Sequence, residues 1–221
     1  MNNTFKILIF GLFCFVILCL SIFGISRLRV DDFHKSAIIM IVDASASNQK
    51  NLASEKMVIR QLCSMLDPED HVKILRVSED SYLIYEGSPQ SSSDVRKAME
   101  KFTQYDNKEY GTAYGLALQK AFNHALNMSK EGYVPSVVVI GDLENEGDTS
   151  KQINWKTLSK DVSDVVSKDD KFSMMFLYAS PDKLDLVKET LTPVLGETKL
   201  IVGNEVTTSK SLRRFLSALG R

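Results

Sequence analysis

Apolar residues fall into three patterns along the chain: one long uncharged run, several short continuous runs, and several stretches with helical spacing. The long run is residues 7–25, ILIFGLFCFVILCLSIFGI. As a helix rising ~1.5 Å per residue it reaches ~28 Å, close to the ~30 Å hydrocarbon core of a bilayer. The short runs are SAIIMIVD (36–43), PSVVVIG (135–141) and FSMMFLY (172–178), each the length of a buried strand. Shorter strands are expected at 72–77, 82–85 and 199–202. The four-residue link Ser78-Glu79-Asp80-Ser81 suits a hairpin, so the second of these should be an antiparallel edge strand.

Helical spacing is seen between these runs. Val58, Leu62, Met65 and Leu66 share one face, and Asp67-Pro68-Glu69-Asp70 should end that helix. Residues 91–102 begin with serines and Asp94, which are good caps. Leu118, Ala121, Phe122 and Ala125 mark a further helix, read as beginning at Tyr110-Gly111-Thr112. Trp155, Leu158, Val162, Val165 and Val166 mark the next. Leu184, Val187 and Leu191 follow, and Leu212, Phe215, Leu216 and Leu219 close the chain. Alternating strands and helices with apolar strands predict an α/β fold: a doubly wound, mostly parallel central sheet with helices on both faces. The expected organisation is a tail (1–6), a transmembrane anchor (7–26), a juxtamembrane linker (27–35) and one domain (36–221).

The anchor has an alternative. A cleaved signal sequence usually has a shorter apolar region and a small-x-small cleavage site, which Phe23-Gly24-Ile25-Ser26 matches poorly. The flanking charges, Lys6 against Arg27, Arg29 and Lys35, favour a cytoplasmic domain. The very short tail favours a signal anchor with the domain outside, and an extracytoplasmic domain is the expectation.

Composition narrows the function. The 221 residues carry a net charge of -1 with 25% charged residues, an ordinary globular balance without the basic excess that nucleic acid requires. Of three cysteines, Cys14 and Cys19 lie in the apolar run, so Cys63 has no partner for a disulfide in the domain. Cys63 should be a buried thiol, and His71 and His124 surface or interfacial residues.

Ligands bind a doubly wound sheet at the carboxyl ends of its strands. There the chain offers Asp43-Ala44-Ser45-Ala46-Ser47, then Thr112, then Asp142. Two carboxylates and three hydroxyls, without His or Cys, point to a hard cation: Mg²⁺, or Mn²⁺ or Ca²⁺. Alternate residues of an extended loop point one way, so Asp43, Ser45 and Ser47 can converge on one ion. Simpler roles remain open. Asp43 and Ser47 could cap the first helix, Thr112 could cap its own, and Asp142 could be an ordinary strand-end acid.

In order and placement, Asp43-x-Ser45-x-Ser47, Thr112 and Asp142 resemble the metal-ion-dependent adhesion site (MIDAS) of von Willebrand factor A domains, a likeness covering residues 36 to 220. The resemblance implies direct or nearly direct ligation by Ser45, Ser47 and Thr112. Asp43 and Asp142 would act largely through waters, and one position would stay open for an acidic side chain of a protein partner. The chain departs from the family at Tyr110, where a glycine is common, and at Leu143, where glycine often follows the acid.

A membrane-anchored, metal-dependent protein-binding module is therefore expected, and not an enzyme. One alternative is a phosphatase or phosphotransferase with Asp43 as nucleophile, but the general acid expected two residues on is Ser45. A metal-free structural module is another. Glu144, Glu146 and Asp148 read as a solvated loop, and Trp155 as helix packing.

Overall fold

The computed structural model describes residues 34–90, 92–102, 111–204 and 207–220. The apolar run at 7–25, read as an anchor, lies outside them, as does Tyr110. Among the described residues no helix is long and apolar enough to cross a membrane.

Six strands form one sheet: β1 (Ser36–Asp43), β2 (His71–Val77), β3 (Ser81–Gly87), β4 (Val134–Ile140), β5 (Ser173–Leu177) and β6 (Leu200–Gly203), in the order β3-β2-β1-β4-β5-β6. Only β3 is antiparallel, and it pairs with β2 at the edge as the short link predicts. All eight residues of β1 are buried, because β1 has neighbours on both sides and helices on both faces.

The helices are α1 (Leu52–Ser64), α2 (Ser92–Phe102), α3 (Tyr114–Lys130), α4 (Trp155–Val166), α5 (Pro181–Lys199) and α6 (Thr208–Ala218). Strand alternation divides the core between them. Ile39, Ile41, Val137, Val139, Met174 and Phe176 face α3, α4 and α5. Ile38, Met40, Val42, Val138, Ile140 and Met175 face α1, α2 and α6. Cys63 is buried in the second layer as expected, and Trp155 packs against the first.

Several boundaries differ from expectation. Helix α3 starts at Tyr114, so Thr112 precedes it. Strand β2 starts at His71, one residue early, and β3 runs from Ser81 to Gly87. The last expected strand begins at Leu200 and not at Lys199, because α5 continues past a break at Gly196 (φ 70°).

The topology fixes where a ligand can sit. From β1 the chain first builds outward through β2 and β3, then crosses back to β4 on the other side of β1. Diverging connections open a crevice at the carboxyl ends of such a strand pair. Val42 pairs with Ile140 there, which sets Asp43 beside the Gly141-Asp142 turn.

Candidate metal centre

Asp43 ends the central strand and is fully buried. Its Oδ1 accepts a hydrogen bond from the Ser45 amide at 2.7 Å, and its Oδ2 accepts one from the Tyr114 hydroxyl at 2.8 Å. Burial raises the Asp43 pKa to about 7; the Ser45 amide opposes that rise, and the nearby Asp142 adds to it. Among the described residues no positive charge compensates this carboxyl.

Ser45 is buried, while Ser47 is exposed. The Ser45 and Ser47 hydroxyls lie 3.1 Å apart, and the Ser47 hydroxyl donates to Asp142 Oδ2 at 3.1 Å. Asp142 Oδ1 accepts from the Glu144 amide at 2.9 Å. The structure thus brings Asp43, Ser45, Ser47 and Asp142 into one polar chain across the crevice.

Thr112 is tied by its backbone to the loop that follows Asp142, and its neighbour Ala113 to the end of β2. The Thr112 amide donates to the Glu146 carbonyl at 3.0 Å, and the Ala113 amide donates to the Ser78 carbonyl at 2.7 Å. Thr112 is 1% exposed, yet among the described residues its hydroxyl has no hydrogen-bond partner. A buried hydroxyl left unpaired costs about 1–3 kcal/mol, so a partner for it has to be sought. A cavity of about 130 Å³ borders Thr112, with Glu79, Glu146, Asp148 and Lys151 also on its wall.

The capping roles are not what the structure shows. Asn51 is the cap of α1 and Ala113 that of α3, and neither cap makes a side-chain hydrogen bond. Glu144 pairs with Lys183 at 3.3 Å, and Asp148 caps the short turn Thr149–Lys151 through the Ser150 amide. Both acids are therefore accounted for without a ligand.

Leu143 takes the backbone shape that a glycine would. Its φ is 60°, a left-handed conformation that costs a non-glycine residue roughly 1–2 kcal/mol. Its side chain is buried in the α3 layer, which offsets that cost by roughly 1.5–3 kcal/mol for a leucine. Its amide donates to the Tyr114 hydroxyl at 3.3 Å. Tyr114 thus joins the Asp43 loop to the Asp142 turn. Gly141 makes this close approach feasible: a Cβ there would lie 2.1 Å from the Tyr114 hydroxyl and 2.4 Å from Asp43 Cβ.

Sequence reasoning missed three supporting residues. Tyr114 is one. The others are Asn48 and Glu55, both fully buried. Asn48 Nδ2 donates to the Asp43 carbonyl at 3.1 Å and to Glu55 Oε1 at 2.6 Å. Burial pushes the Glu55 pKa up to about 9, with the Asn48 hydrogen bond opposing and the charges of Asp43 and Asp142 adding. A signal was present: Glu55 lies three, four and seven residues before Val58, Ile59 and Leu62, on the apolar face of α1.

Residues 38–145 match the sequence profile of the von Willebrand factor type A domain. Among solved structures, a von Willebrand factor type A protein from Catenulispora acidiphila superposes with a TM-score of 0.58 at 15% identity, over 84% of this chain and 42% of that one. Proximal thread matrix protein 1 from the mussel byssus, with a zinc-occupied MIDAS motif, gives 0.57 at 11% identity, over 84% and 48%. An aerotolerance-related membrane protein from Bacteroides fragilis gives 0.54 at 16% identity, over 84% and 98%. The chain spans under half the length of the first two. No curated protein matches the sequence. The profile match and the superpositions agree: residues 38–145 carry the sequence signature of the von Willebrand factor type A domain, and the sheet has that fold.

Proposed function

We propose that this domain binds Mg²⁺, with Mn²⁺ or Ca²⁺ as substitutes, at Asp43, Ser45, Ser47, Thr112 and Asp142, and uses the ion to hold an acidic side chain of a protein partner. The unpaired, buried Thr112 hydroxyl carries this assignment. It belongs to an all-oxygen donor set that also contains two acids, Asp43 and Asp142, which form no ion pair among the described residues. Such donors suit a hard cation. Held mostly by neutral hydroxyls, the ion keeps net positive charge with which to attract a carboxylate. The chain's own part is positional. The Ser45 amide and the Tyr114 hydroxyl occupy both Asp43 oxygens, so Asp43 contributes to the site through waters and charge.

The same two hydrogen bonds count against a nucleophilic Asp43. The carboxylate is fully buried and has no free oxygen aimed at solvent, so phosphoryl transfer through it lacks both access and a general acid. A zinc-filled MIDAS motif in the mussel byssus protein and a membrane setting for the Bacteroides fragilis protein fit a metal-dependent, membrane-associated role here. We place the anchor at residues 7–26 and the domain on the extracytoplasmic side. Tethering confines the partner search to the membrane surface and raises effective concentration.

The test is capture of partner proteins by the full-length chain in Mg²⁺ and in EDTA, beside calorimetric titration with Mg²⁺. Ser45→Ala and Thr112→Ala should weaken Mg²⁺ binding by about 10–100-fold and abolish metal-dependent capture, with the fold intact by circular dichroism. Capture that is unchanged in EDTA would overturn the proposal.

A further inference from the structure

At the amino ends of the parallel strands, opposite the crevice, three side chains meet that the oxygen site does not use. His71 opens β2, Glu86 lies near the end of β3, and His124 sits in the middle of α3. His71 Nε2 is 3.4 Å and His124 Nε2 is 3.7 Å from the same Glu86 oxygen, Oε1. One ligand atom from each of the three lies within 4.8 Å of the other two. The imidazole centroids are 5.6 Å apart with the rings tilted by 41°.

Both Nε2 atoms are buried, and neither makes a hydrogen bond. The distances to Glu86 are short enough for charge attraction, but the geometry is wrong for N–H donation. Two buried ring nitrogens without partners, converging on one carboxylate oxygen, are costly unless something bridges them.

We propose that His71, Glu86 and His124 form a zinc site, distinct from the oxygen site at the other end of the sheet. Zinc–nitrogen and zinc–oxygen bonds of ~2.0–2.2 Å in a tetrahedron set donor atoms roughly 3.4 Å apart. The observed 3.4 and 3.7 Å separations need only small side-chain shifts to reach that spacing. Two imidazoles and one carboxylate favour Zn²⁺ over Mg²⁺. Side chains of His71 and Glu86 are 23% and 35% exposed, which leaves an entry path and a fourth position for water.

The surroundings orient these groups. Lys73 Nζ is 3.1 Å from Glu86 Oε2, so it steadies the carboxylate while Oε1 faces the histidines. Tyr133 packs edge-on against the His71 ring, with centroids 6.2 Å apart. Lys73 Nζ also lies 3.4 Å from His124 Nδ1. Metal at Nε2 puts the imidazole proton on Nδ1, so this contact must open when zinc binds. It is the longer of the two Lys73 contacts, and the Glu86 pair can hold the lysine. The three ligands come from three elements, so a bound ion would fasten the β2–β3 hairpin to α3.

Co²⁺ is the probe, because four-coordinate Co²⁺ shows strong visible absorption that Zn²⁺ abolishes by displacement. The full-length chain should take up one Co²⁺ with these bands. His71→Gln, Glu86→Gln and His124→Gln should each weaken it by at least about 10-fold, the lower end of what losing even an outer-sphere partner costs. Asp43→Asn should leave the bands unchanged. Circular dichroism of each variant separates a lost ligand from a lost fold, and three independent ligand variants keep the test sound if one fails to fold. No tetrahedral spectrum in the folded full-length chain, or a spectrum lost in Asp43→Asn and kept in the His71 and His124 variants, would overturn the proposal.

Discussion

At the carboxyl ends of β1 and β4, Asp43, Ser45, Ser47 and Asp142 present oxygen alone; at the amino end of β2, His71 and His124 present nitrogen beside Glu86. The first cluster lies on loops that follow fully buried strands, and hydrogen bonds already link its members. The second lies on a sheet edge and a helix, and the Nε2 atoms of its two histidines make no hydrogen bond. One sheet thus offers a hard-cation environment at one end and a borderline-metal environment at the other. Donor chemistry, and not the fold class, separates the two.

Three substitutions sharpen this contrast by disturbing the carboxyl end alone. Gly141→Ala should have the largest effect. Its Cβ would collide with Tyr114 and Asp43, and overpacking together with an unfavourable φ of 153° should cost at least ~3 kcal/mol. Urea unfolding would measure this, and any Mg²⁺ response should disappear with it. Near-normal stability in this variant would mean that the two loops are not locked together as described.

Tyr114→Phe comes next. Losing the hydroxyl strips Asp43 Oδ2 of its donor and the Leu143 amide of its acceptor, at about 2 kcal/mol for buried groups. Mg²⁺ affinity should fall by about 10-fold while Co²⁺ uptake at the other end stays unchanged. Parallel titrations with the two ions would check both halves.

The smallest expected effect concerns Glu55. Burial raises its folded-state pKa from the ordinary 4.5 to about 9. The native state therefore holds this proton longer than the unfolded chain does. The contribution to stability is full below about pH 4.5 and declines as pH rises toward about 9, by up to about 1.4 kcal/mol per pH unit. In a chelator, Glu55→Gln should remove this slope. Unfolding midpoints at pH 6 and pH 7 that differ equally in variant and parent would show that Glu55 does not titrate as its burial implies.

The two ends also differ in how far the sequence discloses them. Asp43, Ser45 and Ser47 sit within five residues directly after an apolar strand, so one spacing rule suffices to find them. The apolar strands themselves were legible because central parallel strands are apolar on both faces. His71, Glu86 and His124 come from three elements, and only the hairpin pairing and the packing of α3 bring them together. Read singly, each histidine looked like a surface or interfacial residue. Tyr114 and Glu55 escaped notice for another reason. Each sits on the buried face of its helix, where periodicity registers burial but not which polar partner waits there. Helix α3 starts later than the sequence suggests because Gly111 and Thr112 look like a helix entry, whereas the Thr112 amide is engaged with the Glu146 carbonyl in the loop after Asp142.

The crossing from β3 back to β4 has a kinetic meaning. Ser36 meets Val134 only after the chain has passed through two strands and three helices. No short peptide from this domain can assemble the oxygen donors, because Asp43 and Asp142 become neighbours only when that distant pairing closes. Such contacts are slow to form, as the loop entropy must be spent before they are made. An ion that needs them closed arrives after the folding barrier. It should leave the refolding rate almost untouched and lengthen the lifetime of the folded domain, acting as a brake on opening and not as a template for assembly.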